Sequence, residues 1–247
     1  RICEVVNMKY KIIERYCSEL QQIYSSTAIS LKEDDDFSFF LVCYLYKLNQ
    51  HMDSIRKLCT SPDVQLVART MIETLIQMLW VAQNPTERSA MWRNYVFIED
   101  WNTLQRIPNL GALISPTERA MVESAYDAKK GGYLTQKQKV HRDWKKGTKI
   151  HEMANEVQAG DLYSVLYSGF SDWVHGGPVS LAHQVEFTDN LELVLSNDVP
   201  QFSNASFSAA FQCMYQGLLV YTQHFSLGLD EQFQNIYDRY IRELSTE

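Results

Sequence analysis

The segment from Ser61 to Ala82 constrains the fold more than any other part of the sequence. It opens with a serine that can cap a helix, a proline suited to the first helical position and an acidic residue in the first turn. From there to Ala82, apolar residues occupy nearly every face at helical spacing. A helix that is apolar on almost all sides has to be surrounded by other elements. The sequence therefore predicts a helix from Pro62 to Ala82 in the middle of a bundle.

Further helices, each with one apolar face, are predicted on both sides of this segment. Apolar residues at three- and four-residue steps predict a first helix of about 25 residues. We interpret Asp34, Asp35 and Asp36 as the cap of a second helix, from Phe37 to Lys57, rather than as a metal site. The cap-proline-acid pattern recurs at 84–87 and 115–118 and predicts two more helix starts. Later helices are predicted at 150–158, 161–175, 205–225 and 230–244, with Gly176 to Pro178 ending the second of these.

Composition agrees with a helical fold. The 247 residues include only 10 Gly and 6 Pro, which are few for a loop-rich β protein, and the content of hydrophobic residues (45%) is that of a globular chain. We predict an all-α irregular bundle of about seven to nine helices. At most one short β-hairpin is allowed, at 185–195, where apolar and polar residues alternate. The prediction is a single domain over residues 1–247, with a long basic loop at about 129–149.

Charge and cysteine usage limit where such a protein works. The net charge of -7 disfavours a protein that coats nucleic acid non-specifically. No apolar run reaches the ~18 to 20 residues of a membrane helix. The five cysteines are scattered and form no Cys-x-x-Cys pair, which is typical of a reducing compartment. We predict a soluble, cytoplasmic protein with buried thiols. Because the chain begins with Arg1, we expect a trimmed start or a piece of a longer protein.

Two lines of polar side chains stand out within the predicted helices. The central helix carries Gln65, Arg69, Glu73 and Gln77 at every fourth position, which places them along one line. Buried charges have to be paired and hydrogen-bonded because an isolated one costs several kcal/mol or more. The line is therefore either a solvated strip with an Arg69–Glu73 pair or the wall of a polar pocket inside the bundle.

The second line lies on the helix predicted at 161–175. Tyr167, Ser171 and His175 recur at the same four-residue spacing, and His175 falls at the helix C-terminus. A histidine can serve as a general acid or base near neutral pH. The alternative is that the three side chains are interior groups bonded to backbone carbonyls. If the two lines face each other, we expect a pocket where Arg69 and Glu73 meet His175.

These two polar helices resemble an uncharacterised bacterial all-helical domain family. The resemblance covers about residues 60–180 and rests on Arg69-x3-Glu73, on Arg93 and Tyr95, and on Tyr167-x3-Ser171-x3-His175 ending at Gly176. Members of that family are similar in general shape to HEPN-type helical domains. Many HEPN domains belong to abortive-infection, toxin and other defence systems, and the active ones are metal-independent ribonucleases.

The sequence departs from the HEPN signature, in which an Arg is followed after four to six residues by a His on one helix. No Arg lies four to seven residues before His175, and Arg142 and His151 are separated by eight residues. The resemblance therefore implies that Arg69 binds phosphate from another helix while His175 acts as acid or base. In this scheme Tyr167, Ser171 and Glu73 orient these two groups.

The predicted basic loop holds the concentrated positive charge of the chain. Its cations interleave with Tyr133 and Trp144. Because basic side chains bind phosphate and aromatic rings can stack on bases, we predict a nucleic-acid surface here. Its members are Lys137, Lys139, Arg142, Trp144, Lys145 and Lys146. The alternative is a solvated mobile loop, in which Trp144 is a core anchor.

Motifs for other chemistries are missing from the sequence. There is no His-Glu-x-x-His, no glycine-rich phosphate loop, no dinucleotide fingerprint and no Gly-x-Ser-x-Gly elbow, so we predict no metal and no cofactor. The leading hypothesis is a bacterial effector or defence-type protein that acts on RNA or a nucleotide. The competing hypothesis is a non-catalytic helical module that forms a homodimer or docks a partner protein.

Overall fold

The structure, a computed structural model, describes residues 2–107, 113–175, 185–187, 190, 192–195 and 200–245. Their helices are α1 (Ile2–Ser26), α2 (Asp36–Lys57), α3 (Val64–Gln83), α4 (Pro85–Asn94), α5 (Val96–Arg106), α6 (Pro116–Lys129), α7 (Ile150–Glu156), α8 (Ser168–Val174), α9 (Pro200–His224) and α10 (Asp230–Ser245). A 3-10 turn (Lys130–Tyr133) follows α6, and a π-helical segment (Leu162–Tyr167) runs directly into α8. Strands β1 (Val185–Phe187) and β2 (Leu193–Leu195) pair antiparallel. The predicted all-α fold with one short hairpin is confirmed.

Helix α3 occupies the centre, as its all-round apolar surface requires. It packs against α2, α4, α7, α8 and α9. Its inward residues, among them Met71 and Ile76, are fully buried. The predicted start at Pro62 is wrong by two residues, because Ser61 to Asp63 form a turn. There the Ser61 hydroxyl accepts a hydrogen bond from the Asp63 backbone N–H (3.2 Å) instead of capping the helix.

Two of the predicted helix caps are present as side-chain hydrogen bonds. Asp35 accepts a bond from the Ser38 backbone N–H (2.9 Å), so its interpretation as a cap is confirmed. Ser115 and Glu118 form a complete capping box at the start of α6. The helix predicted to begin at 84–87 and to continue through Tyr95 to Trp101 is instead divided at Tyr95 into α4 and α5.

Two groups of buried side chains hold the described residues together. The larger one lies between α1, α2, α3, α9 and α10 and includes Phe211, whose ring stacks on Tyr240 at 3.8 Å. The smaller one consists of Tyr95, Ile98 and Tyr133. Val140 and Trp144 of the basic segment, residues 129–149, pack against it. The basic segment therefore has its own apolar base.

Helix α9 approaches α2 closely at Gly217, where a Cβ atom would lie 2.8 Å from Leu48 Cδ1 and 3.5 Å from Leu45 Cδ1. We expect Gly217→Leu to lower the free energy of unfolding by about 1–3 kcal/mol, because the leucine has to displace close-packed side chains. Urea denaturation measures this. Gly169→Leu is the matched control, since open space surrounds that position. Equal stability of the two variants would contradict the expected close contact.

Candidate functional site

The two predicted polar lines face each other. One lies on α3, and the other lies on the neighbouring helix, which consists of the π segment and α8. Arg69 Nε donates a hydrogen bond to Ser171 Oγ (2.9 Å), and Arg69 Nη2 donates one to Tyr167 OH (2.8 Å). The guanidinium carbon also lies 4.6 Å from the centre of the Tyr167 ring, within cation-π distance. One arginine therefore joins two residues that are four positions apart on the neighbouring helix. We call Arg69, Tyr167 and Ser171 the arginine cluster.

The π segment sets the direction in which this neighbouring helix presents its side chains. The Ser168 backbone N–H bonds to the Tyr163 carbonyl five residues earlier, and the Ser168 hydroxyl bonds to the same oxygen (3.2 Å). A π turn is rare and is frequent at functional sites. This π segment was not predicted from the sequence. The only local signal is Ser168, since a serine hydroxyl can compete for backbone carbonyls.

The polar line of α3 continues past Arg69 into a second set of hydrogen bonds. Gln77 Nε2 donates to Glu73 Oε1 (3.2 Å), and Tyr44 OH of α2 donates to Gln77 Oε1 (2.8 Å). No ion pair joins Arg69 and Glu73 in the described part of the chain, and Gln65 is only 3% exposed. The line is therefore not a solvated strip with an internal ion pair. Tyr44 is a member that the sequence analysis did not identify.

The electrostatic surroundings keep the phenol groups of Tyr167 and Tyr44 protonated. Burial raises the pKa of Tyr167, the nearby Glu73 carboxylate raises it further, and Arg69 acts in the opposite direction. Burial also raises the pKa of Tyr44, and Glu73 adds to this. Both hydroxyls are therefore hydrogen-bond donors and not bases at neutral pH. At the start of the line, the buried Gln65 Oε1 has no hydrogen-bond partner among the described residues.

His175 lies one turn beyond Ser171, where its backbone N–H donates to the Ser171 carbonyl (3.1 Å). Its side chain is exposed. Within the described ranges the imidazole makes no hydrogen bond or ion pair, so it is not bonded to Arg69 or Glu73. Its predicted glycine cap at 176–178 lies outside the described residues. The structure thus brings together three of the five residues predicted to be catalytic.

The aromatic residues of the basic segment point toward the core. The Trp144 ring lies 5.9 Å from that of Trp80 and 6.5 Å from that of Phe40. Tyr133 is 3% exposed, and its hydroxyl donates to the Met91 carbonyl. Trp144 is therefore a core anchor, which was the alternative to its predicted role in stacking on bases.

The cations of the segment surround a cleft of about 780 Å³. Lys137, Lys139 and Arg142 line it and are exposed. His141 lines it as well, although the sequence analysis gave it no role. Lys145 is half-buried, and Lys146 is exposed with its Nζ 5.9 Å from the Tyr133 ring. We call this feature, formed by residues 135–143 and Gly147, the basic cleft.

The described residues also bear on the predictions of location and metal binding. None of their helices is long and apolar enough to cross a membrane. Cys17 and Cys213 are fully buried, and burial strongly raises the pKa of each thiol. No group of three or more His, Cys, Asp or Glu side chains in these ranges is arranged to hold a metal ion.

Comparison with known proteins places the chain in a family. Residues 38–192 match the family model of DUF5677, a family of unknown function, and the chain belongs to this family. The match includes α2 to α8 with the arginine cluster and the basic cleft. Comparison with curated proteins gives no match, and comparison with solved structures gives none either. The predicted membership of an uncharacterised helical family is confirmed.

Proposed function

We propose that this DUF5677 protein is a bacterial effector of the defence type that works in the cytoplasm and acts on RNA or a nucleotide. Arg69 binds a phosphate group, and His175 transfers a proton to or from the reacting oxygen. Tyr167 and Ser171 orient the arginine, while Glu73 bonds to Gln77 farther along α3. The observation that carries the proposal is the arginine cluster, which lies one helical turn before an exposed histidine.

The arginine cluster supports the proposal because it holds Arg69 in place without using up its hydrogen-bonding capacity. A guanidinium has five N–H donors. Within the described residues Arg69 uses one on Ser171 and one on Tyr167. The three remaining N–H donors of Arg69 make no hydrogen bond within the described residues, and a guanidinium can bind a phosphate through two parallel hydrogen bonds. Positioned donors of this kind stabilise the charge that develops on a reacting phosphate.

The exposure of His175 supports its role as the group that transfers the proton. A general acid or base has to reach the substrate, and the phenols of Tyr167 and Tyr44 remain protonated, since burial raises the pKa of each. His175 shares a face with Ser171 because it follows it by four residues. A phosphate held by Arg69 would therefore be approached by His175 from the next turn of the same helix.

The test is the turnover of a labelled single-stranded RNA and of ATP by purified wild-type protein and by His175→Ala. We expect the variant to be about 100-fold slower or more, which is the usual contribution of a general acid or base. His224→Ala is the matched control, since that exposed histidine instead contacts Ser38 of α2. Turnover that is unchanged in His175→Ala would remove this residue from the mechanism.

A second candidate function is a non-catalytic helical module that forms a homodimer or docks a partner protein. The observation that favours it is that Arg69 joins α3 to the π segment and to α8 through one side-chain hydrogen bond each, as a purely structural arginine would. In that case neither RNA nor ATP is turned over by the wild-type protein. Thermal unfolding would then be the only property that an Arg69 variant changes.

A further inference from the structure

We propose that the basic cleft binds the phosphate backbone of a polynucleotide through Lys137, Lys139 and Arg142, without reading its bases. The inference rests on the proposed function and deepens it, because it names a polymer and not a single nucleotide as the substrate class. It also separates binding from turnover, since the cleft and the arginine cluster use different residues.

The first argument is that the positive charge of the cleft is not neutralised. Residues 137–149 include six basic residues and a single acidic one, Asp143, in a chain whose net charge is -7. Asp143 Oδ1 accepts a hydrogen bond from the Gly147 backbone N–H (3.3 Å). Across the described ranges no ion pair involves Lys137, Lys139 or Arg142. Such a patch attracts polyanions although the protein as a whole is acidic.

The second argument is that the backbone holds these cations in defined positions. The Thr135 N–H bonds to the Lys139 carbonyl (2.7 Å), and the Lys139 N–H bonds to the Thr135 hydroxyl (3.1 Å). Gln138 takes a positive φ of 57° at the tip of this turn. Leu134 and Val140 close it as an antiparallel bridge. The segment is thus a hydrogen-bonded turn, and this geometry favours defined positions for its cations over a mobile loop.

We expect the cleft to bind a nucleic acid through its phosphates and not through its bases. Sequence-tolerant single-strand binders usually stack bases on exposed aromatic rings. Here the rings of Tyr133 and Trp144 pack into the core. The lysines and Arg142 that line the cleft bind phosphates, and such contacts position a nucleic acid but carry no sequence information. Affinity should therefore depend steeply on salt and little on base composition.

The anchor of the basic segment and the arginine cluster lie at different positions along α3. Trp144 anchors the basic segment at Trp80, whereas the arginine cluster is built on Arg69 of the same helix. At about 1.5 Å per residue along an α-helix, these two positions are about 16 Å apart. A ligand that spans from the anchor of the basic segment to Arg69 has to cover about this distance. A chain of several nucleotides meets this requirement.

The experiment measures the binding of labelled single-stranded RNA of mixed sequence, and of labelled ATP, by fluorescence anisotropy between 50 and 200 mM salt. The variant is the charge reversal Lys137→Glu, Lys139→Glu, Arg142→Glu. We expect its RNA affinity to fall by about 100-fold, since each charged hydrogen bond contributes at least about 1 kcal/mol. The slope of log affinity against log salt should decrease by about two, because each single-strand phosphate contact contributes about 0.7.

The matched control reverses three exposed lysines elsewhere, Lys11, Lys47 and Lys57, to glutamate, which changes the net charge by the same amount. An equal loss of RNA affinity in this control, or no loss in the cleft variant, would overturn the inference. Binding of ATP through the cleft as tightly as RNA would also overturn it. The proposed turnover is judged separately by His175→Ala, so that either idea can fail while the other stands.

Discussion

Replacement of Phe211 by alanine is expected to lower the free energy of unfolding by about 3–5 kcal/mol, the largest effect of any single change considered for this fold. Phe211 of α9 is fully buried and stacks on Tyr240 of α10 at 3.8 Å. Its ring also lies 6.4 Å from Tyr16 of α1 and 6.0 Å from Tyr215. Alanine would remove the ring and leave a cavity where three helices meet. Thermal unfolding should shift downward by about 6–20 °C.

The control for this prediction is Phe39→Ala, because Phe39 is 38% exposed and its ring lies tilted against that of Trp92 at 5.9 Å. The same atoms are deleted, but much of the ring is already in water, so the cost should be less than half of that at Phe211. A similar loss of stability in the two variants would show that α9 and α10 do not pack as the structure describes.

Removal of Arg69 should have the second largest effect on stability. Arg69→Ala deletes two hydrogen bonds from a charged donor and a cation-π contact, and it leaves the buried Tyr167 hydroxyl without its donor. We expect a loss of about 2–3 kcal/mol. Tyr167→Phe, which removes only the hydroxyl, should cost about 1 kcal/mol. Urea denaturation of both variants measures these values.

The double variant then isolates the interaction between the two residues. If Arg69 and Tyr167 interact directly, the double variant should be more stable than the sum of the single changes implies, with a coupling energy of about 0.5–3 kcal/mol. Arg119→Ala, on the exposed face of α6, is the control for the loss of an arginine and should change stability by less than about 0.5 kcal/mol. A coupling energy near zero would contradict the hydrogen bond from Arg69 to Tyr167.

Much of the fold could be predicted because its signals are local. The capping box at Ser115 and Glu118 depends only on neighbouring residues, and the central position of α3 follows from an apolar surface on all sides. That Arg69 and Ser171 face each other also follows from helical spacing, provided that the two helices are adjacent. The capping box and the central position of α3 needed no knowledge of distant contacts.

The remaining features depend on tertiary packing, which spacing alone does not determine. Trp144 fits a nucleic-acid surface and a core anchor equally well until Trp80 and Phe40 are placed beside it. Tyr44 belongs to the polar line through Gln77 because α2 lies against α3. Tyr95 lies between two helices because its side chain joins a second, smaller core. In each case a partner that is distant in sequence decides the role of the residue.

The π segment between Leu162 and Tyr167 has a consequence for comparing members of this family. A π turn contains one residue more than an α turn of the same span, and each residue of an α-helix advances the side-chain direction by about 100°. A relative with one residue fewer in this segment would turn its equivalents of Ser171 and His175 away from the arginine on α3. Gap placement at 162–167 therefore determines which residues of two family members are truly equivalent.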